Sequence, residues 1–428
     1  MLTTATGIVS VLFLSPGAWG EAQPQKVALT SRSITSYSSS SWLKRRGLSP
    51  TNVPLQDFFK GTDLQWYGNI SVGTPPQVLP VVFDTGSTTL EFASTQCGQP
   101  CTNQIQFDTT KSSSFVAGVV NTSLVFGTGG GVDPVVGSNY KITIQSGKDT
   151  VEIGGLKADN VDLFLITNQS EPFAIDPYSG IQGMGATAQG LFAALVSQGL
   201  PALFGLYITP QSVGGAELTL GGVDNSKFSG NLTYAALPPR SGSTWQLSSP
   251  SIAVNGNTTS VLTANRTIIF DSGSSNLFFP KATTEARRIY LDISDIQPNT
   301  NEPGAYGIAC DRVSSLPAVI DFAFTAQDGS LFNLTVPSSE LSVGPFANDP
   351  STCQLLINAL EEASIVGGSL FKHYYTAWDI GGQQIGFASL SAKAPAPSSS
   401  PHSSGQALRS NWIPLSVVTL LISVVTLL

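Results

Sequence analysis

The chain carries the same strand-and-turn sentence twice. Residues 80–93 read PVVFDTGSTTLEFA and residues 267–280 read TIIFDSGSSNLFFP, with Phe, Asp, Gly, Ser, Leu and a later Phe identical in register. Each copy is followed by a second apolar and glycine element, Ile181-Gln182-Gly183 in the first half and Ile365-Val366-Gly367 in the second, at almost the same remove. Internal repetition of this kind implies two lobes of one design. At 428 residues the chain also exceeds what one hydrophobic core usually serves.

Within each copy an apolar run delivers one carboxylate, Asp84 or Asp271, to the end of a buried strand. Glycine then permits a tight turn, and the flanking hydroxyls can donate to the carboxylate. A single copy reads as a structural Asx-turn. Two copies about a pseudo-twofold axis read as a pair of carboxylates that cannot both ionise and so share a proton. Such a pair can hold a water, accept its proton as it attacks a carbonyl, polarise that carbonyl, and later protonate a leaving amine.

The inventory of reactive residues removes other chemistries. The two histidines are His373 and His402, the latter in a Ser/Pro-rich stretch, which leaves almost no material for a His-dependent triad or a His-ligated metal, and no metal or cofactor is expected. A net charge of −8 with no basic stripe argues against nucleic acid. Sparse charge (11%) and short apolar runs broken by turns suit β-structure. Four cysteines, Cys97, Cys101, Cys310 and Cys353, allow three pairings, of which the local ones suit an oxidising compartment.

The ends of the sequence read as addresses. Gly7 to Leu14 is apolar and precedes Ala18-Trp19-Gly20, a pattern expected of a secretory signal over 1–20, although the usual positive start is missing. Residues 21–46 are basic and end on Lys44-Arg45-Arg46, ahead of an acidic body. We expect a propeptide there, cut by a processing protease and lying over an acidic cleft; the plainer reading is a solvated charge run. Asn69, Asn121, Asn168, Asn231, Asn257, Asn265 and Asn333 are candidate glycosylation acceptors. After a stalk at 392–405, the last 14 residues are apolar, and as a helix would reach about 21 Å, short of a hydrocarbon core of about 30 Å. Small residues Ser403-Ser404-Gly405, a spacer and that tail match a glycolipid-anchor signal over 406–428, with a short transmembrane anchor as the alternative. The localisation expected is the secretory pathway to the cell surface, at the plasma membrane or wall.

From about residue 64 to 391 the chain resembles the pepsin-like aspartic proteases. Besides the two Asp motifs, the resemblance rests on YGNISVGTPPQ (67–77), FDTTKSSSF (107–115), LTLGGVD (218–224), Trp245-Gln246-Leu247 and IVGGSLFKHYYTAWDIGGQQIGFA (365–388). It implies an all-β, bilobal fold of two similar β-barrel lobes, 62–236 and 237–391, with a cleft between them and a hairpin flap. It further implies that Asp84 and Asp271 are catalytic, that Thr85 and Ser272 bind across the dyad to the opposite backbone, and that Ser87 and Ser274 donate to the outer carboxylate oxygens, with Gly86 and Gly273 in the turns. The cysteines match the family's small loop, Cys97 to Cys101, and its second-lobe bridge, Cys310 to Cys353. His373 is then a packing or surface residue.

The flap segment, Phe126-Gly127-Thr128, departs from that pattern. Phe126 stands where the family has Tyr, and Glu91 stands where it has the Trp that pairs with that Tyr. Both partners of one hydrogen bond have gone together, so no buried donor of that pair is stranded. Glu91 becomes a candidate cleft residue. An apparent insertion, Gly130 to Tyr140, adjoins the flap tip. Gly368 and Gln182 are lesser departures, expected not to touch the dyad. The reading is a monomeric, secreted aspartic endopeptidase working on protein or peptide substrates at acidic pH and held to the membrane by a lipid anchor, an architecture similar to that of the yapsin-like surface proteases of fungi. The alternative is a non-catalytic peptide- or wall-binding protein of the same fold.

Overall fold

The computed structural model describes residues 47–391, apart from 129–138, 188, 287–294, 317 and 347. The leader and basic segment, Lys44-Arg45-Arg46, Ser403-Ser404-Gly405 and the apolar tail lie outside the described residues, as does most of the insertion beside the flap. Among the described residues strands predominate, the longest helix spans Gly190–Ser197, and no helix is long and apolar enough to cross a membrane.

The internal repeat is a repeat of topology. In the first half the strand Gln77–Asp84 pairs in parallel with Gly180–Gly183, and Leu90–Ala93 runs antiparallel to that same strand. In the second half Arg266–Phe270 pairs in parallel with Ile365–Val366, and Leu277–Phe279 runs antiparallel to it. The apolar and glycine element therefore lies between the two strands that flank each Asp turn. Burial on both faces explains why these strands lack polar alternation. In Gln77–Asp84 the last six residues, Leu79 to Asp84, are all buried. A carboxylate at the end of such a strand is held out of water by construction.

The first half builds an eight-stranded sheet and the second builds sheets of five, four and three strands. A six-stranded sheet joins the halves, because Leu203–Tyr207 pairs antiparallel with Tyr374–Asp379. Beside this junction Phe204 and Trp378 stack at 5.8 Å, and Trp245 meets Trp378 edge-on at 5.3 Å. The Trp245 ring nitrogen donates to Met184 O at 2.7 Å, tying the second half to the residue after Gly183. Disulfides link Cys97 to Cys101 and Cys310 to Cys353.

The strands Val116–Val125 and Lys141–Ile153 form a hairpin at the edge of the eight-stranded sheet. Its last described rung is Phe126 N to Tyr140 O, 3.0 Å. This is the hairpin expected to carry the flap.

Candidate active site

The two Asp turns meet face to face. Thr85 Oγ1 donates to Phe270 O at 2.9 Å, and Ser272 Oγ donates to Phe83 O at 2.7 Å. The same two hydroxyls accept in exchange, from Ser272 N at 2.9 Å and from Thr85 N at 3.0 Å. Four buried bonds, two in each direction, thus fasten one turn to the other. Each carboxylate is also held by its own turn, with Gly86 N donating to Asp84 Oδ1 and Gly273 N to Asp271 Oδ1, both at 2.8 Å.

The turn glycines set how closely the carboxylates approach. A Cβ on Gly86 would stand 2.5 Å from Asp271 Cγ, and a Cβ on Gly273 would stand 2.5 Å from Asp84 Oδ1. Only a residue without a side chain fits at either place. Asp84 is 6% exposed and Asp271 8%. Burial, the charge of Asp271 and a hydrogen bond with it hold the Asp84 carboxyl well above the usual range, against the opposing pull of Ser87 and Gly86 N–H. The arrangement favours keeping a proton between the two groups.

The outer serines differ. Ser274 Oγ donates to Asp271 Oδ2 at 2.7 Å and is hydrogen-bonded to Thr128 Oγ1 of the flap at 2.8 Å. Ser87 Oγ is buried and, though near Asp84, makes no hydrogen bond of ordinary geometry. Of the two serines, Ser274 is the one joined to Thr128.

Around the carboxylates lies a recess open to solvent. Phe126 and Thr128 of the flap line it, and so does Glu91. Phe126 meets Phe173 edge-on at 5.6 Å, and Phe173 meets Tyr140 at 5.2 Å, so aromatic packing remains at the flap base where the Tyr–Trp hydrogen bond is gone. Glu91 is 1% exposed, and both its carboxyl oxygens are shut off from solvent. Burial pushes it up to about 8, with the Thr89 hydroxyl opposing.

Several residues of the site escaped the sequence. Gln65 donates through Nε2 to Gly273 O and accepts from the Tyr178 hydroxyl, so a chain of two bonds runs from the first-half wall to the second Asp turn. Asp176 is 5% exposed, lines the recess, and is held well above the ordinary carboxylate range by burial. The only hint was position: Asp176 and Tyr178 lie just before the buried strand Gly180–Gly183. The minor departures sit beside the Asp turns. Gly183, next to Gln182, pairs in register with Asp84, and Gly368 N donates to Ser274 O at 2.8 Å. His373 Nε2 stands 3.4 Å from Glu340, remote from these contacts in the ion cluster around Lys372. All seven candidate acceptor asparagines are exposed.

Two halves of one β-topology, each presenting a buried Asp at a glycine turn, define the class as the two-lobed aspartic proteases. The family model for eukaryotic aspartyl protease matches residues 65–390, and the chain belongs to that family. It is similar to pepsin A of Rhinolophus ferrumequinum (28% identical, 82% of this chain and 86% of the relative). It is similar also to rhizopuspepsin-4 of Rhizopus niveus (31%, 80% and 81%) and pepsin-2B of Gadus morhua (31%, 76% and 96%). The chain is an aspartic endopeptidase, and its substrates are proteins or peptides.

Proposed function

We propose that Asp84 and Asp271 are the catalytic pair, and that the protein is a secreted enzyme acting at acidic pH. The observation that carries this reading is the reciprocal exchange between Thr85 and Ser272, which fixes two buried carboxylates across glycines too small to keep them apart. With one proton between them, the pair holds a water. As the water attacks the scissile carbonyl, one carboxylate takes its proton while the other carboxyl donates to the carbonyl oxygen, giving a tetrahedral diol. Collapse of the diol breaks the C–N bond, and a carboxyl returns a proton to the leaving amine. No His, Cys or bound group is called on for any of these steps.

Thr85, Ser272, Gly86 and Gly273 act as positioning residues, and Ser274 couples Asp271 to Thr128 of the flap. Phe126, Gly127 and Thr128 cover the bound peptide, held extended. Secretion is supported by two disulfides and by seven exposed acceptor asparagines. The glycolipid anchor, the propeptide ending at Lys44-Arg45-Arg46 and the likeness to yapsin-like surface enzymes rest on the sequence alone.

The test is cleavage of an unfolded protein substrate between about pH 3 and 6, with and without a peptide carrying a statine-type hydroxyl in place of the scissile carbonyl. Cleavage blocked by that peptide supports the reading. Cleavage that is indifferent to it, or confined to neutral pH, overturns it.

A further inference from the structure

Each of the sheets among the described residues ends in two edge strands, and three of these are longer than the rest. They are Val116–Val125 with 10 residues, Phe228–Ala236 with 9 and Leu331–Val336 with 6. The other edge strands have between 2 and 5 residues. A long edge is a template for any strand that reaches it, and folded proteins guard such edges with charge, proline, shortness or a cover.

The short edges carry some of these guards. Thr51–Pro54, Gln297–Pro298 and Ser342–Phe346 contain proline, and Gln56–Phe59 contains Asp57. The long edges read VAGVVNTSLV, FSGNLTYAA and LFNLTV, with no charged residue and no proline. They also bring apolar side chains to the surface, Val119 being 93% exposed and Leu331 70%. Protein covers part of two of them, where Gln327 N donates to Tyr234 O at 2.9 Å and Thr335 N donates to the Tyr374 hydroxyl at 2.7 Å.

What every long edge does hold is an N-x-S/T acceptor: Asn121, Asn231 and Asn333, all three exposed. No short edge holds one. Of the other acceptors, Asn69 and Asn168 lie on strands with neighbours on both sides, and Asn257 and Asn265 lie outside the named strands. The acceptors thus fall on the edges that lack other protection.

We propose that Asn121, Asn231 and Asn333 carry N-linked oligosaccharides that bar strand addition at the three long edges. A bulky hydrated glycan on an edge strand obstructs a second backbone, which must approach to about 4.8 Å to pair. The inference rests on the secreted reading above, because the sugar donor it needs is an oligosaccharide carried on a lipid diphosphate in the secretory pathway. In the transfer the side-chain amide nitrogen loses a proton and bonds to the anomeric carbon of the sugar. The bond from that carbon to the diphosphate oxygen breaks, and the lipid diphosphate leaves with the bonding electrons.

The experiment expresses the full chain in a secretory eukaryotic host and locates glycans by mass spectrometry of its peptides. Occupancy at Asn121, Asn231 and Asn333 is expected. Sedimentation velocity then compares wild type with the edge variant Asn121→Gln/Asn231→Gln/Asn333→Gln and a control variant, Asn69→Gln/Asn257→Gln/Asn265→Gln. The edge variant is expected to shift from monomer to dimers and larger species, and the control to stay monomeric. Adding Val119→Lys, Ser229→Lys and Leu331→Lys to the edge variant is expected to restore the monomer, since charge guards an edge as a glycan does. Should the edge variant not fold, enzymatic removal of glycans from folded protein, with and without the three lysines, makes the same comparison. Glycans at other acceptors but not at these three, an edge variant that stays monomeric, a control that associates equally, or oligomers that persist with the lysines overturns the proposal and leaves secretion standing. A chain without glycan at any acceptor overturns the edge guards and, if it is also retained inside the cell, the secreted reading with them.

Discussion

A Cβ on Gly86 would stand 2.5 Å from the carboxyl carbon of Asp271, a residue from the other half of the chain. The turn that presents one carboxylate is thus also the space that admits the other. Gly86→Ala must push the halves apart or displace Asp271. Because a shift of about 1 Å at a reacting centre can cost about 10²-fold, we expect kcat/KM to fall by at least that factor in a protein that still folds. Kinetics beside circular dichroism of the variant checks this. Unchanged kinetics in folded Gly86→Ala would mean that the close approach is not needed.

The exchange between Thr85 and Ser272 makes a stability prediction. Thr85→Val keeps the shape but leaves Phe270 O without its donor and Ser272 N without its acceptor, both buried. Each unsatisfied group costs about 1–3 kcal/mol, so chemical denaturation is expected to show a loss of about 2 kcal/mol or more. A loss below about 0.5 kcal/mol would show that water or relaxation replaces both bonds.

The sequence disclosed this centre because its chemistry is local and written twice. Phe-Asp-Thr/Ser-Gly-Ser states the strand end, the turn and the hydroxyls within five residues, and the parallel and antiparallel pairing around it repeats accordingly. Glu91 was legible because it interrupts that same stretch. Asp176 was not, since an acid beside a short 3-10 turn, Glu171–Ile175, reads as solvated until the fold brings it against the recess. Nor was the difference between Ser87 and Ser274, whose flanking residues are nearly alike. The flap comes from the first half alone, and its Thr128 bonds only Ser274 among these two. The six-stranded junction was also hidden, because Tyr374–Asp379 pairs with a strand some 170 residues earlier.

Glu91 gives the protein a direction of pH dependence. Burial pushes its folded value up to about 8 from an ordinary value of 4.5, so the folded state holds the proton more tightly than the unfolded state. The stability this confers is fully present below about pH 4.5 and is lost as pH rises toward 8. Asp84 and Asp176, also raised, act in the same sense. At about 1.4 kcal/mol per pH unit, Glu91 accounts for at most on the order of 5 kcal/mol. Melting temperature is expected to fall from pH 4.5 to 8, and to fall less steeply in Glu91→Gln. Parallel curves for the two proteins would show that Glu91 does not titrate in this range.

The Cys310–Cys353 bridge closes a 43-residue separation in the second half. Loop-closure entropy for such a length predicts a loss of about 4 kcal/mol on replacing both cysteines with alanine, against about 2 kcal/mol for the four-residue separation of Cys97 and Cys101. Denaturant midpoints of the two double variants test the order. A larger loss from the short loop would contradict it.

The central claim is that Asp84 and Asp271 work as one proton-sharing pair, and the kcat/KM profile across pH of wild type, Asp84→Asn and Asp271→Asn tests it most directly. The wild-type profile is expected to be bell-shaped, falling where both carboxyls are protonated and again where both ionise. Each asparagine variant is expected to lose at least about 10³-fold at every pH while still folding. A folded variant of either kind that keeps more than about a tenth of wild-type activity, or that keeps both limbs of the bell, would contradict the account.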